Sequence, residues 1–222
     1  MRDYIIPAID WSEFWATIIP LLVLIWHRNQ PNYIKPVIVY LWIALILNLI
    51  GDIIADFREF LPQWMQSNNI LYNIHSLVRY ACFGYFFHLI NQTFRHWLNR
   101  IVNTIALLFI LYDFTFLESF TNQLHLSGNL LATESFLLLI YCLQYYLAQL
   151  AKDEGTLKRG KEFWVVTGLA IYVVVNFFVF LFYVPLFDVS LQQAGRIWWI
   201  HNFAYIGLCI FIAKAFYVPA GN

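Results

Sequence analysis

The chain has 222 residues, of which 61% are apolar, 20% aromatic and only 12% charged. A soluble domain is about 45–50% apolar and about 25% charged, so this composition excludes one. Thirteen Lys plus Arg balance thirteen Asp plus Glu. With no net charge, nothing in the balance recruits nucleic acid or an acidic surface.

A hydrocarbon core of about 30 Å needs about 20 helical residues to cross it. Seven stretches are long and apolar enough, near residues 11–26, 36–57, 70–90, 101–117, 130–150, 163–185 and 196–216. The expected fold is all-α: one seven-helix transmembrane domain covering 1–222, in contact with the lipid bilayer. No Gly/Ser-rich stretch or internal repeat divides the chain, as a duplicated transporter would require. Met1-Arg2-Asp3-Tyr4 lacks the basic opening of a signal peptide, so the first span is expected to be retained.

Basic residues near spans stay on the cytoplasmic side. With the amino terminus outside, the inner segments hold Arg28, Lys35, Arg95, Arg100, Lys152, Lys158, Arg159, Lys161 and Lys214, whereas the outer ones hold Arg2, Arg58 and Arg196. The expected orientation is amino terminus out and carboxyl terminus in, with several passes through the membrane. The sequon Asn91-Gln92-Thr93 then faces the cytoplasm and stays unmodified.

Taken in order, span one carries Pro20 and Pro36 opens span two, where proline suits a helix start. Span two presents Asn48, Asp52 and Asp56 at four-residue spacing on one face. Span three holds His75 and, one turn deeper, Arg79. Arg79 lies about nine residues into its span, or ~13 Å deep, where an arginine costs about 2.5–3.5 kcal/mol on insertion scales. Span five offers Glu134 after one turn. Span six carries Pro185 at its outer end, and span seven offers His201 and Asn202. Lys152-Asp153-Glu154-Gly155 suits a helix end followed by a charged turn.

Depth counting places Asp52, His75, Arg79, Glu134, His201 and Asn202 at comparable levels on four helices. They form a candidate ligand-binding pocket open to the outside. Three readings of this cluster stand. It binds a small polar or anionic ligand through Arg79, it fixes helix registry through ion pairs such as Arg79 with Glu134 or Asp52, or it holds a metal. The metal reading lacks a His-x-x-x-His or His-Glu-x-x-His pair, and Arg79 repels a cation. No metal, cofactor or catalytic residue is therefore assigned, and enzymatic activity is not expected. Cys82, Cys142 and Cys209 fall on spans three, five and seven, where thiols act as small buried apolar groups and no disulfide is expected.

Arg79-Tyr80-Ala81 and a lysine in the last span invite comparison with retinal proteins, but Cys82 stands where a counter-ion carboxylate is wanted. Lys214 lies ~27 Å down its span, where a lysine snorkels to the interface. Seven-span zinc hydrolases also invite comparison, but their carboxyl-terminal His-x-x-x-His is absent, since His201 is followed four residues later by Tyr205.

Asn69-Ile70-Leu71-Tyr72-Asn73-Ile74-His75-Ser76-Leu77-Val78-Arg79, with its Leu-Tyr-x-Ile-x-x-Leu signature, and Trp199-Ile200-His201-Asn202 together cover about a tenth of the chain. On these motifs the chain resembles small, uncharacterised seven-helix integral membrane proteins of bacteria. It departs from their pattern at Arg79, where they are expected to carry Glu. The resemblance implies an integral membrane protein acting with a sensor kinase.

The expected function is a membrane sensor or receptor-like protein that binds a small polar or anionic ligand. It would signal to a cytoplasmic partner through the basic loop from Lys152 to Lys161. The alternatives are a small-solute or ion transporter, for which Gln144, Asn176, Thr167, Asn103 and His88 are too scattered to form a pathway, and an intramembrane metal-dependent hydrolase.

Overall fold

The structure, a computed structural model, describes residues 7–90, 96–121, 126–151 and 160–219, the side chains of 96–99 excepted. Residues 7–10 are helical and lead into α1 (Ser12–Trp26). There follow α2 (Lys35–Asp56), α3 (Asn69–Leu89), α4 (His96–Tyr112), α5 (Gly128–Leu150), α6 (Lys161–Val189) and α7 (Leu191–Tyr217). Among the described residues every regular element is helical. The sequon and the turn after α5 lie outside the described residues.

Helix bounds follow the apolar runs closely, with two differences. The chain passes through Pro185 without ending α6, because surrounding helices allow proline inside a membrane helix. Only Ser190 then separates α6 from α7, and its hydroxyl accepts from the Gln193 amide. At the other end of the sequence, Pro36 lies in the first turn of α2, where its missing N–H has no intrahelical partner to lose.

Five helical segments are long and apolar enough to cross a membrane: Asn32–Asp56, Arg100–Leu117, Gly128–Leu150, Lys161–Val189 and Leu191–Tyr217. This is the mark of a multi-pass membrane protein. The other two helices differ for separate reasons. α1 has 15 residues, about 22 Å of rise. α3 has 21 residues, but Asn69, Asn73, His75, Ser76, Arg79 and His88 dilute its apolar character.

Six helices close a ring in the order α1, α2, α3, α5, α6, α7 and back to α1, and α4 packs outside it against α5. Asn103 ties this outer helix to the ring, its Oδ1 accepting from Tyr80 at 2.5 Å and Tyr141 at 2.6 Å. Where α4 ends, a π-helical turn over Asp113–Leu117 buries Asp113, which accepts from the Asn129 side chain at 3.0 Å. α6 and α7 pack tightly at Gly168, where an added Cβ would lie 2.5 Å from the Phe211 Cβ. Small residues permit such contact between membrane helices, which gain little from hydrophobicity and must gain from packing.

The ring interior has two halves. Toward the end of α7 the core is apolar, with Phe83, Phe86, Leu138, Cys142, Leu169, Leu208 and Ile212 buried. That end is fastened by Lys161, whose ammonium donates to the Ala215 and Phe216 carbonyls at 3.2 and 3.1 Å, groups left open at a helix end. Nearby, the exposed Lys214 rests over the Trp164 and Tyr217 rings, as an interfacial anchor does. Cys82, Cys142 and Cys209 are free thiols. The opposite half, beneath the start of α1, is polar.

Candidate functional site: a vestibule above a buried polar layer

The polar half starts from an ion pair. Arg79 on α3 meets Glu134 on α5 in two parallel bonds, Nε to Oε1 at 2.7 Å and Nη2 to Oε2 at 2.5 Å. Both residues are buried. The guanidinium also donates from Nη1 to the Tyr172 hydroxyl at 2.7 Å and lies over that ring. Ser76, one turn above Arg79 on the same face, donates to Glu134 Oε2 at 3.0 Å. Planar fork and carboxylate thus match, and the charge of each is met inside the bundle.

Tyr172 connects this pair to a second network. Its carbonyl accepts from the Asn176 Nδ2 at 2.8 Å, which turns Asn176 Oδ1 toward His201 Nδ1 at 2.5 Å. Because Oδ1 only accepts, Nδ1 carries the proton. His201 Nε2 then faces Glu13 Oε1 at 3.3 Å. The Glu13 carbonyl accepts from Thr17 and Asn48, and Thr17 in turn bonds the Tyr205 hydroxyl at 3.0 Å. His75 Nε2 pairs with the Tyr40 hydroxyl at 3.2 Å. Asn202 donates to the Ile9 carbonyl at 3.0 Å and so holds the segment leading into α1.

Above this layer lies a cavity of about 570 Å³ at the end of the bundle where α1 begins. Trp11, Tyr72, Tyr183, Trp198 and Trp199 line it, together with Asp10, Asp52, Asp56 and Arg58. Tyr72 and Trp198 meet edge to face with centroids 5.1 Å apart, and Trp198 covers His201 at 4.8 Å. These two rings roof the polar layer. A hollow of about 10 Å³, room for about one water molecule, lies deeper between Glu13, Asn48, Asp52, Tyr72 and His75.

The cavity's carboxylates differ in their partners. Asp56 accepts the Trp11 indole N–H at 3.1 Å and Asp10 that of Trp199. Burial pushes the Asp10 carboxyl up, the Trp199 bond opposes this, and the charge of Asp56 adds to the rise. Asp52 Oδ2 is shielded from solvent, and among the described residues none donates to it.

Of the six residues expected to share one open pocket, Asp52 lines the vestibule and His75 lines the hollow beneath it. Arg79, Glu134, His201 and Asn202 occupy the layer below. The large side chains of Tyr72 and Trp198 close over these four. Arg79 lines neither the vestibule nor the hollow beneath it, and the Glu134 carboxylate occupies the place an anionic ligand would take. Several members of the layer were not among the expected site residues, chief among them Glu13, Tyr172 and Asn176, the last read from the sequence only as one of the groups too scattered to form a pathway. A carboxylate one turn inside span one and an amide at mid-span six were the available signals.

The groups that would form an inner pathway are engaged elsewhere: Asn103 with two tyrosines, Thr167 with Tyr146 at 2.9 Å. Among the described residues no group of three His, Cys, Asp or Glu is arranged to hold a metal. Fold and site define a multi-pass helical membrane protein with an aromatic, acid-bearing vestibule at one end. Comparison with protein-family models, curated proteins and solved structures matches none of them.

Proposed function

We propose that the chain is a seven-helix receptor or sensor of a bacterial inner membrane, with α1 and α3 spanning beside the five more apolar segments. Its amino terminus is outside, and its vestibule receives a small polar ligand from the exterior. The observation that carries this reading is that the cavity ends on a bonded polar layer, below which the core is apolar. A cavity of about 300–1,000 Å³ with a few polar groups among apolar walls suits a ligand, whereas a carrier needs polar groups along its whole pathway. Asp52 and His75 stand nearest the ligand. Arg79, Glu134, His201 and Asn202 form the layer that feels its arrival. A ligand favouring one helix arrangement shifts the bundle toward it, and the inner loops pass that shift to a cytoplasmic partner.

The test is a thermal-stability screen of the purified protein against amino acids, sugars, amines, carboxylates and phosphates, followed by proteoliposome uptake of each binder. The expected result is a saturable binder that is not transported, with binding lost in Gly195→Trp, which fills the vestibule. Absence of any binder, or uptake of the binder into the liposomes, contradicts the reading.

A further inference from the structure

We infer that the vestibule is a site for a small organic ammonium ion, with Asp52 as its charge partner and the rings of Tyr72, Trp11 and Trp198 as its apolar wall. The inference rests on the receptor reading of the same cavity and adds the chemical class of ligand.

Among the described residues the vestibule presents three carboxylates, Asp10, Asp52 and Asp56, against one guanidinium, Arg58. An anionic ligand would enter against that balance. Asp10 and Asp56 each take an indole N–H, so part of their capacity is used inside the protein. Asp52 Oδ2 is buried, accepts from none of the described residues and belongs to a side chain that lines both the vestibule and the hollow below. A shielded carboxylate oxygen without a donor calls for a cation or a donor from outside. A bare metal ion needs several oxygen or nitrogen ligands at short range, and among the described residues no group of three His, Cys, Asp or Glu, the three vestibule carboxylates included, is arranged to hold one.

The walls supply what an organic cation needs instead. Aromatic rings attract ammonium groups through their negative faces and cover alkyl substituents at the same time. Trp198 is held by Tyr72 and Tyr183, each with centroids 5.1 Å from it, so the wall is formed before any ligand arrives. Preformed rings cost a ligand less ordering than mobile ones do.

The test is isothermal titration of the full chain in nanodiscs with choline, tetraethylammonium and n-butylamine. Acetate serves as the anion and 3,3-dimethylbutan-1-ol as the uncharged isostere of choline. At least one ammonium is expected to bind, and choline about tenfold or more tighter than the alcohol. Asp52→Asn is expected to weaken ammonium binding about tenfold or more while its unfolding midpoint stays near that of the unmodified chain. Ala55→Arg, which adds a positive charge at an exposed position of the wall, provides a second variant that leaves Asp52 in place and is expected to exclude the ammonium. Equal binding of choline and the alcohol, or ammonium binding indifferent to both substitutions, overturns the inference. Acetate binding without ammonium binding overturns it while leaving the receptor reading intact. Silence from all these probes overturns the inference, and the receptor reading falls as well if the wider solute screen is also silent.

Discussion

Truncating Arg79 tests how the polar layer is held together. In Arg79→Ala the Glu134 carboxylate, 2% exposed, loses donors at 2.7 and 2.5 Å and keeps only Ser76 at 3.0 Å. Removing one partner of a buried pair costs about 3–5 kcal/mol, because the other charge stays buried without compensation. Against a total stability of about 5–15 kcal/mol, that is a large share. Glu134→Ala strands the guanidinium and should cost a similar amount. Replacing both residues by apolar ones of similar size, Arg79→Met with Glu134→Leu, removes both charges together. It should cost about 1 kcal/mol, chiefly from the Tyr172 hydroxyl that loses its donor. The double variant should therefore be at least about 3 kcal/mol less damaging than the sum of the single ones. Reversible unfolding in mixed micelles, titrated with sodium dodecyl sulfate and followed by tryptophan fluorescence, measures all three. Additive costs would refute the reasoning, since they would mean that the two groups do not compensate each other.

Three further outcomes follow from particular contacts. Gly168→Ala would bring its Cβ to 2.5 Å from Phe211 and should cost about 1–3 kcal/mol. Gly207→Ala, with nothing within 4 Å, should instead gain up to about 1 kcal/mol; equal effects in the same titration would contradict the α6–α7 packing. Asn103→Leu removes the acceptor of Tyr80 and Tyr141 and should cost about 0.6–1.7 kcal/mol, and a zero cost would show that the bonds do not hold α4. Burial, reinforced by the neighbouring Asp113 carboxylate, pushes the Glu118 carboxyl up from 4.5 to about 7. Between those values the folded chain keeps a proton that the unfolded chain has released, so this contribution is full below 4.5 and is lost as pH rises through about 7. Thermal unfolding across that window should show a fall that Glu118→Gln flattens, and an unchanged slope in the variant would contradict the assignment.

Much of this arrangement was legible in the chain because hydrocarbon imposes one rule on every spanning segment: backbone groups must be bonded within the helix. Apolar runs therefore gave helix bounds to within a few residues for α1, α2, α3 and α5. The departures are Pro185, which does not stop α6, and the start of α7, which reaches back to Leu191. The pairing of Arg79 with Glu134 was among the sequence alternatives because so costly a charge needs an opposite one. Which residues face the cavity was less legible. Side-chain reach and ring packing decide it, and period and depth do not encode that Tyr72 and Trp198 meet above His201. The place of Glu13 in the layer escaped for a related reason. It depends on α1 lying against α7, a helix nearly two hundred residues away in the chain.

Cysteine accessibility in intact cells tests the outward-facing vestibule most directly. With Cys82, Cys142 and Cys209 replaced by alanine, a single Gly195→Cys sits in the exposed cavity wall, and a single Asn29→Cys sits at the opposite end of the bundle. A membrane-impermeant maleimide should label Gly195→Cys in intact cells and Asn29→Cys only after permeabilisation. Labelling of Asn29→Cys from outside, with Gly195→Cys protected until the membrane is opened, would contradict the account.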